Sequence, residues 1–443
     1  MKALRSIAHR TIAHRTIAHR TIAHRTVLFG VALVASIGLA GGRPSLAQQS
    51  SDNSDSDCQV KLSLDSFRAY ALAHSPLVAE IDRDYAAQVA KAIETELLTN
   101  PELSGFQTWT RMYVDGANDP QSEVSISQPI RLSNFGKRDK VADLLRKAGN
   151  TEKNIKLLEF SQRNTVNYVR LYSLQETVRV LQRAEQDAAT KLETVKKHVQ
   201  EGLLSQGSEA LFQGERARLE AQRAGAQAEL ATLQSELSMG VGTTCRIVAS
   251  QAPTLGKIAT AEALLDRARA SRISERARIE VLQELTNEQT RLANLDAFPM
   301  IAPKVVYQHT NDGGDFVGAG ITIPLPLWNR NQPDITRVTA ERDANQRKTD
   351  LLQKGGLELQ VTTAHVAAAS SQRQVDIYTT SVEPSFRAAL QAEERAYLGG
   401  KGSVLEVWQT FRALNEAQIT GLALRQQAAL TRARLSILVG EEV

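Results

Sequence analysis

Long apolar runs and aromatic residues are both scarce in this chain. Aromatics make up 5% of its 443 residues, which suits a narrow helical assembly better than a bulky globular core. After the first 47 residues no run of 18 apolar residues occurs, so no membrane-spanning helix is expected. Gly-x-Ser-x-Gly, phosphate-loop and Cys-x-x-Cys motifs are missing too, so we expect no enzyme. The histidines beyond residue 47 stand apart in sequence, and we expect neither a metal site nor a cofactor.

Acidic residues are absent from residues 1–47, which carry seven basic ones. Within this segment an apolar stretch from 27 to 40 precedes Ser45-Leu46-Ala47, a pattern that predicts a secretory signal peptide. Its removal leaves 46 basic and 49 acidic residues, a net charge of −3 instead of +4. The basic balance therefore belongs to the signal peptide, and no nucleic-acid partner is expected. Residues 48–60 are rich in serine and aspartate, which predicts a disordered leader.

Proline is missing from two long stretches, 130–252 and 334–383. An interior proline costs a helix about 3 kcal/mol, so these stretches favour long helices. They are predicted at 137–200, 205–238, 334–397 and 403–437. The first is about 95 Å long at roughly 1.5 Å per residue. We call the second helix of each pair, at 205–238 and 403–437, the return helix. Small residues recur along the return helices at a spacing of three to four, which predicts close helix packing. The clearest set is Ala217, Ala221, Ala224, Ala228 and Ala231.

The same order of elements occurs twice. Pro129 and Gly207 match Pro324 and Gly402, each at an offset of 195 residues. We interpret the chain as two copies of one fold unit rather than as a solenoid. Each copy is predicted to combine a β-hairpin with long antiparallel coiled-coil helices, which gives a mainly α fold with a membrane β-barrel contribution. The two copies and the linker between them are assigned to 61–242, 259–440 and 243–258.

Alternating segments predict the hairpin strands, at 102–114, 123–132, 301–310 and 316–325. The last strand has one apolar face, and we expect Val317, Ile321 and Ile323 to face lipid. Alternation over about ten residues with aromatics near the ends is typical of membrane β-barrels; two soluble hairpins are the alternative. Four strands are too few, because a membrane barrel needs about eight or more and an open edge in lipid leaves backbone groups unsatisfied. Several chains would therefore share one barrel.

Cysteine occurs at two positions, Cys58 and Cys245. An even count in a secreted protein favours a disulfide. Each cysteine lies just before the first helix of its copy, so the pseudo-symmetry can bring the two together. Two unpaired thiols are the alternative. Neither cysteine follows a lipobox-like Leu-x-x sequence, so a lipid anchor at Cys58 is not expected.

Several segments resemble the TolC family of outer-membrane efflux channels, and the resemblance covers essentially the whole chain after the signal peptide. They are Leu64 to Pro76, Asn100-Pro101-Glu102-Leu103, Ser127-Gln128-Pro129-Ile130 and Gly399 to Val407. Segment 324–332 is most similar to the CzcC branch, which serves heavy-metal exporters of the resistance-nodulation-division (RND) type. The resemblance implies a homotrimer, with a shared twelve-stranded barrel in outer-membrane lipid above a periplasmic helical tunnel. It also implies two partners, a periplasmic adaptor (membrane fusion protein) and an inner-membrane RND pump.

The same resemblance assigns roles to individual residues. Helix-hairpin tips of the family contact the adaptor, which implies this role for Gly202, Leu203, Ser205, Gly400, Lys401 and Ser403. The family narrows its tunnel near those tips, often with acidic residues, so Glu393 and Glu394 are candidates for a pore constriction; an ordinary solvated helix face is the alternative. A ring of carboxylates favours cations. The two glutamates do not match the acidic gate of TolC itself.

These observations predict a passive exit duct in the outer membrane that performs no chemistry of its own. The CzcC-like segment favours heavy-metal cations as cargo. A multidrug or type I secretion duct is one alternative, and a soluble periplasmic coiled-coil scaffold or adaptor is another.

Overall fold

In the computed structural model, the described residues are 58–108, 121–254, 256–310 and 313–442. The predicted signal peptide, the leader up to residue 57, the strand segment 109–114 and the following turn lie outside them. The described chain is mainly helical with a few short strands, so the predicted fold class is confirmed.

The elements occur in the same order in both halves of the chain: a short strand, two short helices, a hairpin and then long helices. The first half contains β1 (Gln59–Leu62), α1 (Leu64–His74), α2 (Pro76–Glu96), β2 (Glu102–Gln107), β3 (Gln121–Ser127), α3 (Lys137–Gln200) and α4 (Gln206–Gly240). The second contains β4 (Arg246–Ala249), α5 (Ala261–Ala270), α6 (Glu275–Leu295), β5 (Ala302–Thr310), β6 (Asp315–Thr322), α7 (Gln332–Leu351), α8 (Leu357–Ile377), α9 (Glu383–Leu398) and α10 (Val404–Val439).

Strands β1 and β4 lie where a disordered leader and a linker were expected. They pair in parallel, with Gln59 opposite Arg246. A disulfide joins Cys58 to Cys245 just before the two strands, and their Cα atoms are 4.8 Å apart. Residues 59 and 60 are therefore part of a sheet, and the start of the first half is covalently tied to the start of the second.

Proline sets the ends of two hairpin strands. Strand β3 ends at Ser127 and β6 at Thr322, short of the predicted ends at 132 and 325. Pro129 and Pro324 follow these strands, and proline has no N–H to donate to a neighbouring strand. Beyond Pro129, one isolated bridge pairs Ile130 with Ile301.

Each return helix ends against a break between two short helices. Gly242 and Gly440, just beyond α4 and α10, have φ values of 74° and 79°, a conformation that glycine adopts without strain. The Ser75 hydroxyl, between α1 and α2, donates to the Gly240 carbonyl oxygen at 2.6 Å. The Ser271 hydroxyl, between α5 and α6, donates to the Gly440 carbonyl oxygen at 3.4 Å. The two halves thus use the same docking arrangement.

The long helix of the second half, made up of α7, α8 and α9, is interrupted, whereas α3 in the first half runs for 64 residues without a break. At the first interruption, Leu352–Gly356, Gly355 has a φ of 95°, which ends α7. At the second, Tyr378–Val382, the Glu383 N–H bonds to the Tyr378 carbonyl five residues back. Pro384 explains this wider turn, because its ring excludes an α-helical approach to the carbonyl of residue 380. The predicted continuous helix at 334–397 is therefore three helices.

The repeat offset changes along these helices. At the helix entries, left-handed residues Gly136 and Asn331 are 195 residues apart. At the far ends, the N-cap residues Ser205 and Ser403 are 198 apart. Gly207 lies inside α4 whereas its expected counterpart lies in a turn, so the match of Gly207 with Gly402 at 195 is not a structural equivalence. Three extra residues lie in the interrupted helix, where turns closed by i→i+5 bonds accommodate them.

The core is divided into clusters along the helices instead of one central core. The largest cluster packs α1 and β4 against α3 and α4, around Phe67, Tyr168 and Ile247. The hydroxyl of Tyr168 lies 3.0 Å from the Leu62 carbonyl oxygen, which holds β1 on this cluster. Its counterpart in the second half joins α5, α8 and α10 around Leu264, Val361 and Leu435.

The predicted alanine stripe on α4 makes no part of these cores. The side chains that α4 buries are larger, among them Phe212, Leu219, Leu233 and Leu237. All five alanines of the stripe are exposed. Within one chain, the stripe is therefore an open helix face.

Candidate functional site

The four hairpin strands form one antiparallel sheet in the order β2-β3-β5-β6. Its register aligns apolar residues across all four strands. Ile126 lies opposite Leu103 on one side and Val305 on the other, and Val305 lies opposite Ala319. In the neighbouring rows of the same face, Val317 lies opposite Tyr307 and Ile321 lies opposite Pro303. The sheet therefore has one continuous apolar face, which we call the apolar sheet face.

None of the residues that the structure describes covers the apolar sheet face. Leu103 is 75% exposed, Val317 78% and Ile321 67%. Ile323, just past β6, is 49% exposed. Exposed apolar surface on this scale marks an interaction or membrane surface. Of the residues predicted to face lipid, Val317 and Ile321 lie on this face.

The opposite face of the sheet is mostly polar. The Ser104 and Ser125 hydroxyls are hydrogen-bonded at 2.7 Å, and the Gln308 amide donates to the Gln121 side-chain oxygen at 2.9 Å. Lys304 pairs with Glu123 nearby. Phe106 and Phe316 are apolar exceptions near the loop end of the sheet. A sheet with these two faces can separate an apolar medium from water.

The sheet also has two open edges. Among the described residues, neither β2 nor β6 has a strand on its outer side. The N–H and C=O groups along such an edge form a template for another strand. The edges are therefore places where further strands can add.

The far ends of the long helices form two tips with one geometry. The N–H groups of Leu203 and Lys401 bond to carbonyls five residues back, at 2.8 and 2.9 Å, and Gly202 and Gly400 supply the left-handed residue that this helix end requires. Ser205 and Ser403 then cap the return helices, and Glu406 completes a capping box at the second tip. All six residues predicted to contact an adaptor are exposed on these tips: Gly202, Leu203, Ser205, Gly400, Lys401 and Ser403.

Just behind the tips, the two helix hairpins are held together. A small cluster packs Val195 and Phe212 of the first hairpin against Val404 of the second. His198 Nδ1 and the Tyr397 hydroxyl share a hydrogen bond of 2.6 Å, and burial raises the pKa of that hydroxyl. The two tips therefore behave as one surface within the chain.

The two candidate constriction residues differ in their surroundings. Glu394 forms an ion pair with Lys191 of α3, and Lys191 also lies over the ring of Phe411. This ion pair ties α9 to α3, and the positive charge of Lys191 offsets the negative charge of Glu394. Glu393 is half-buried on the neighbouring position of α9. Glu394 thus has a structural role inside one chain, and a constriction role at either residue remains a prediction.

Sequence reasoning assigned no role to several large exposed residues at the helix side of the sheet. Phe135 is 79% exposed, Trp328 87% and Leu98 75%. The signal that could have found them is their position, because each lies between a strand and a helix.

Solved structures of outer-membrane proteins and channels share this fold. The chain superposes on the outer-membrane protein VceC of Vibrio cholerae with a TM-score of 0.67 at 16% identity, covering 85% of this chain and 96% of VceC. The CmeC outer-membrane channel of Campylobacter jejuni gives 0.69 at 13% identity, covering 93% and 95%. CusC, described as forming a transmembrane channel, gives 0.66 at 16% identity, covering 92% and 100%. At these identities the likeness establishes the fold, which is that of outer-membrane channel proteins.

No protein-family profile and no curated protein sequence matches the chain. Within the described ranges, no helix combines the length and the apolar character needed to cross a bilayer.

Proposed function

We propose that this chain is one subunit of an outer-membrane channel in a tripartite efflux system, a passive exit duct without enzymatic activity. Its four strands insert into outer-membrane lipid and its helices extend into the periplasm. An inner-membrane RND pump and a periplasmic adaptor deliver the substrate. The observation that carries the proposal is the apolar sheet face, which joins four strands in one register and which no other part of the described chain covers.

The open edges of the sheet support a trimer. Addition of β6 of one copy to β2 of the next satisfies the edge groups of both. Three copies give twelve strands, within the range of closed membrane barrels. A soluble coiled-coil scaffold, the alternative from another class, gives no reason for an uncovered apolar sheet with two open edges.

The helices offer a second contact between copies. Within one chain α3 and α10 are neighbours, with α4 beyond α3 and with α8 and α9 beyond α10. The outer face of α4 carries the exposed alanine stripe. Helix α8, on the opposite edge, exposes Leu359 by 69% and Val366 by 60%. Large residues on one edge can pack into the small residues of the other, and head-to-tail contacts of this kind close a ring of three when each copy is rotated by a third of a turn from the last.

The tips are proposed as the adaptor-binding surface. They are the far ends of both hairpins, they carry the exposed side chains of Leu203 and Lys401, and their backbone is fixed by the same helix-ending geometry. An apolar side chain 69% exposed on a rigid turn fits a protein partner better than solvent.

The membrane assignment is tested with one charged substitution on each face of β6. Ile321→Arg places a charge on the apolar sheet face, at a cost of about 2–4 kcal/mol near the middle of a bilayer. Thr322→Arg places the same charge on the polar face and serves as the control. We expect the wild type and Thr322→Arg to be extracted from outer membranes as trimers, and Ile321→Arg to be lost from that fraction. A soluble monomeric wild type, or equal assembly of both variants, contradicts the proposal.

Heavy-metal cations are the proposed cargo, supported by the CzcC-like segment around Trp328. The test is growth of a strain lacking this chain on cobalt, zinc and cadmium salts and, separately, on lipophilic drugs. Sensitivity to the cations that is reversed by the intact gene supports the cargo. Sensitivity to drugs alone moves the assignment to a multidrug duct.

A further inference from the structure

A polar groove runs along the helical part of the chain. Helix α3 forms one side, the second interruption and α9 form the other, and α10 forms the floor. The groove has a volume of about 200 Å³, and its α3 side extends over eleven residues, about 16 Å at roughly 1.5 Å per residue. We call it the wall groove, and its polar lining includes Tyr172, Glu176, Arg183, Tyr378, Glu383 and Arg425.

The wall groove opens on the face of the helices that carries β1 and β4. The Tyr168 hydroxyl lies 3.0 Å from the last carbonyl oxygen of β1, and Tyr172 follows one helical turn later on the same face. On α10, Arg432 donates to a carbonyl oxygen of the linker after β4 at 2.5 Å, and Arg425 is two turns away. The other end of the groove, at Arg183, lies 17 residues before the end of α3, about 26 Å at roughly 1.5 Å per residue. The groove is therefore a surface separate from the tips.

Two features of the backbone leave the wall groove open. Gly421 lies in its floor, inside α10, where glycine costs roughly 0.5–1 kcal/mol relative to alanine. A Cβ at Gly421 would meet nothing within 4 Å, so neither packing nor a special φ requires glycine there, and the missing side chain leaves space in the groove. The wide turn at Tyr378–Val382 forms part of the opposite side, and turns of this kind are frequent at functional sites.

Both ends of the wall groove offer hydrogen-bond donors that have no partner. Within the described residues, the guanidinium groups of Arg183 and Arg425 form no ion pair or hydrogen bond, and the hydroxyls of Tyr172 and Tyr378 form no hydrogen bond. Arg425 lies at the Tyr172 end: burial raises the pKa of the Tyr172 hydroxyl, and the charge of Arg425 acts to lower it. A guanidinium is always charged and its planar fork matches a carboxylate. Each end is therefore suited to bind one carboxylate.

The middle of the wall groove has the opposite character, because it holds carboxylates. Glu176 pairs with Arg179 of the same helix. Glu383 pairs with Arg387 at 2.7 Å and accepts a hydrogen bond from the Gln418 amide at 3.1 Å. A small anion placed here would face two negative charges. A chain with N–H groups in its middle and a carboxylate at each end would match the whole groove.

We propose that the wall groove binds an acidic peptide segment of a partner protein, about five residues long in extended form with an acidic side chain at each end. Five residues at about 3.3 Å each match the length of the groove. Arg183 and Arg425 bind the two carboxylates, and Glu176 and Glu383 accept from the peptide N–H groups. The groove joins α3 of the first helix hairpin to α9 and α10 of the second, so a bound peptide contacts both hairpins.

This site goes beyond the proposed channel function, since it gives the helices a second place to attach a partner in addition to the tips. It involves no residue of the sheet and does not depend on membrane insertion.

The test is fluorescence anisotropy of a labelled peptide, Asp-Gly-Ser-Gly-Asp with both termini capped, added to the full-length protein in detergent. We expect this peptide to bind and its uncharged counterpart, Asn-Gly-Ser-Gly-Asn, not to bind. Arg183→Gln and Arg425→Gln should each weaken binding roughly three- to tenfold. Arg434→Gln is the matched control, because Arg434 is exposed and lies on the opposite face of α10 from Arg425; it should leave binding unchanged.

A second pair of variants separates a shaped site from general surface charge. Gly421→Leu fills the wall groove and alters no charge, so it should abolish binding while size-exclusion profile and Tm stay as in the wild type. If that variant disturbs the helices, Arg183→Asp with Arg425→Asp takes its place and should bind Lys-Gly-Ser-Gly-Lys instead of the acidic peptide.

Four results would overturn the proposal. They are no binding of the acidic peptide to the wild type, an equal loss in Arg434→Gln, unchanged binding in a folded Gly421→Leu, and displacement of the peptide by succinate as readily as by unlabelled peptide, which would make the groove a site for small anions. None of them bears on the membrane assignment, which Ile321→Arg tests separately.

Discussion

Replacing Gly242 by alanine should destabilise the chain far more than the same change at Gly202. Both glycines have a left-handed backbone, with φ of 74° and 73°, so each alanine costs about 1–2 kcal/mol in backbone strain. A Cβ at Gly202 meets nothing within 4 Å, whereas one at Gly242 lies 2.6 Å from the carbonyl oxygen of His74. Only the second substitution therefore adds a clash with backbone.

The size of the difference follows from what this clash displaces. The His74 carbonyl belongs to the break between α1 and α2, and the next residue, Ser75, donates the 2.6 Å hydrogen bond to Gly240. Overpacking typically costs about 1–3 kcal/mol, and loss of this hydrogen bond adds about 1 kcal/mol. We therefore expect a total of about 3–6 kcal/mol for Gly242→Ala, against about 1–2 kcal/mol for Gly202→Ala.

The assay is thermal unfolding of the purified protein in detergent, followed by tryptophan fluorescence at one scan rate. For a chain of about 400 residues, 1 kcal/mol corresponds to about 1 °C in Tm. Gly242→Ala should lower Tm by about 3–6 °C and Gly202→Ala by about 1–2 °C. Equal shifts for the two variants would refute the docking of the helix end against His74. A large shift for Gly202→Ala alone would refute the assignment of the tip as a free surface.

Three other substitutions probe the same structure. Gly440→Ala should match Gly242→Ala, because its Cβ meets the Ser274 backbone nitrogen at 2.8 Å; a neutral result in the same melting assay would argue against equivalent docking. Cys58→Ser with Cys245→Ser opens a loop closed across 187 residues, worth at most about 5 kcal/mol of chain entropy, and denaturant unfolding with and without reductant measures it. Glu288, whose pKa is lowered mainly by its hydrogen bond from Lys140, should stabilise the fold by about 1 kcal/mol at neutral pH. Glu288→Gln should remove that contribution above pH 4.5 and leave stability unchanged once acid has protonated the wild-type carboxyl; a pH-independent difference between the two proteins would contradict the pairing.

The strand faces were predictable because side chains alternate along a strand, so Val317 and Ile321 could be assigned to one face from sequence alone. The continuity of that face was not predictable. It depends on the register that sets Ile126 between Leu103 and Val305, and register is a contact between residues far apart in the chain. The disulfide was open to two readings for the same reason, since only the parallel pairing of β1 with β4 brings the two cysteines together.

The long helices show a different limit. Their existence followed from missing prolines and from composition, and the tips followed from glycine and serine. The break at Gly355 was readable as two adjacent glycines, and the wide turn before Pro384 as a proline effect on its i−4 residue. Both signals were local. Overall helical composition outweighed them in the prediction of one continuous helix.

The two interruptions explain how unequal copies can end in equal tips. The stretch from Asn331 to Gly400 in the second half has three residues more than the stretch from Gly136 to Gly202 in the first half. In a regular α-helix these would move the second tip outward by about 4.5 Å at 1.5 Å per residue. Wide turns take up residues with little gain in length, so the extra residues are absorbed at Leu352–Gly356 and Tyr378–Val382. Two copies per chain would give a trimer pseudo-six-fold symmetry, and this symmetry therefore describes the sheet and the tips better than the helices between them. In a trimer, six tips at one level would give a partner a single ring to bind.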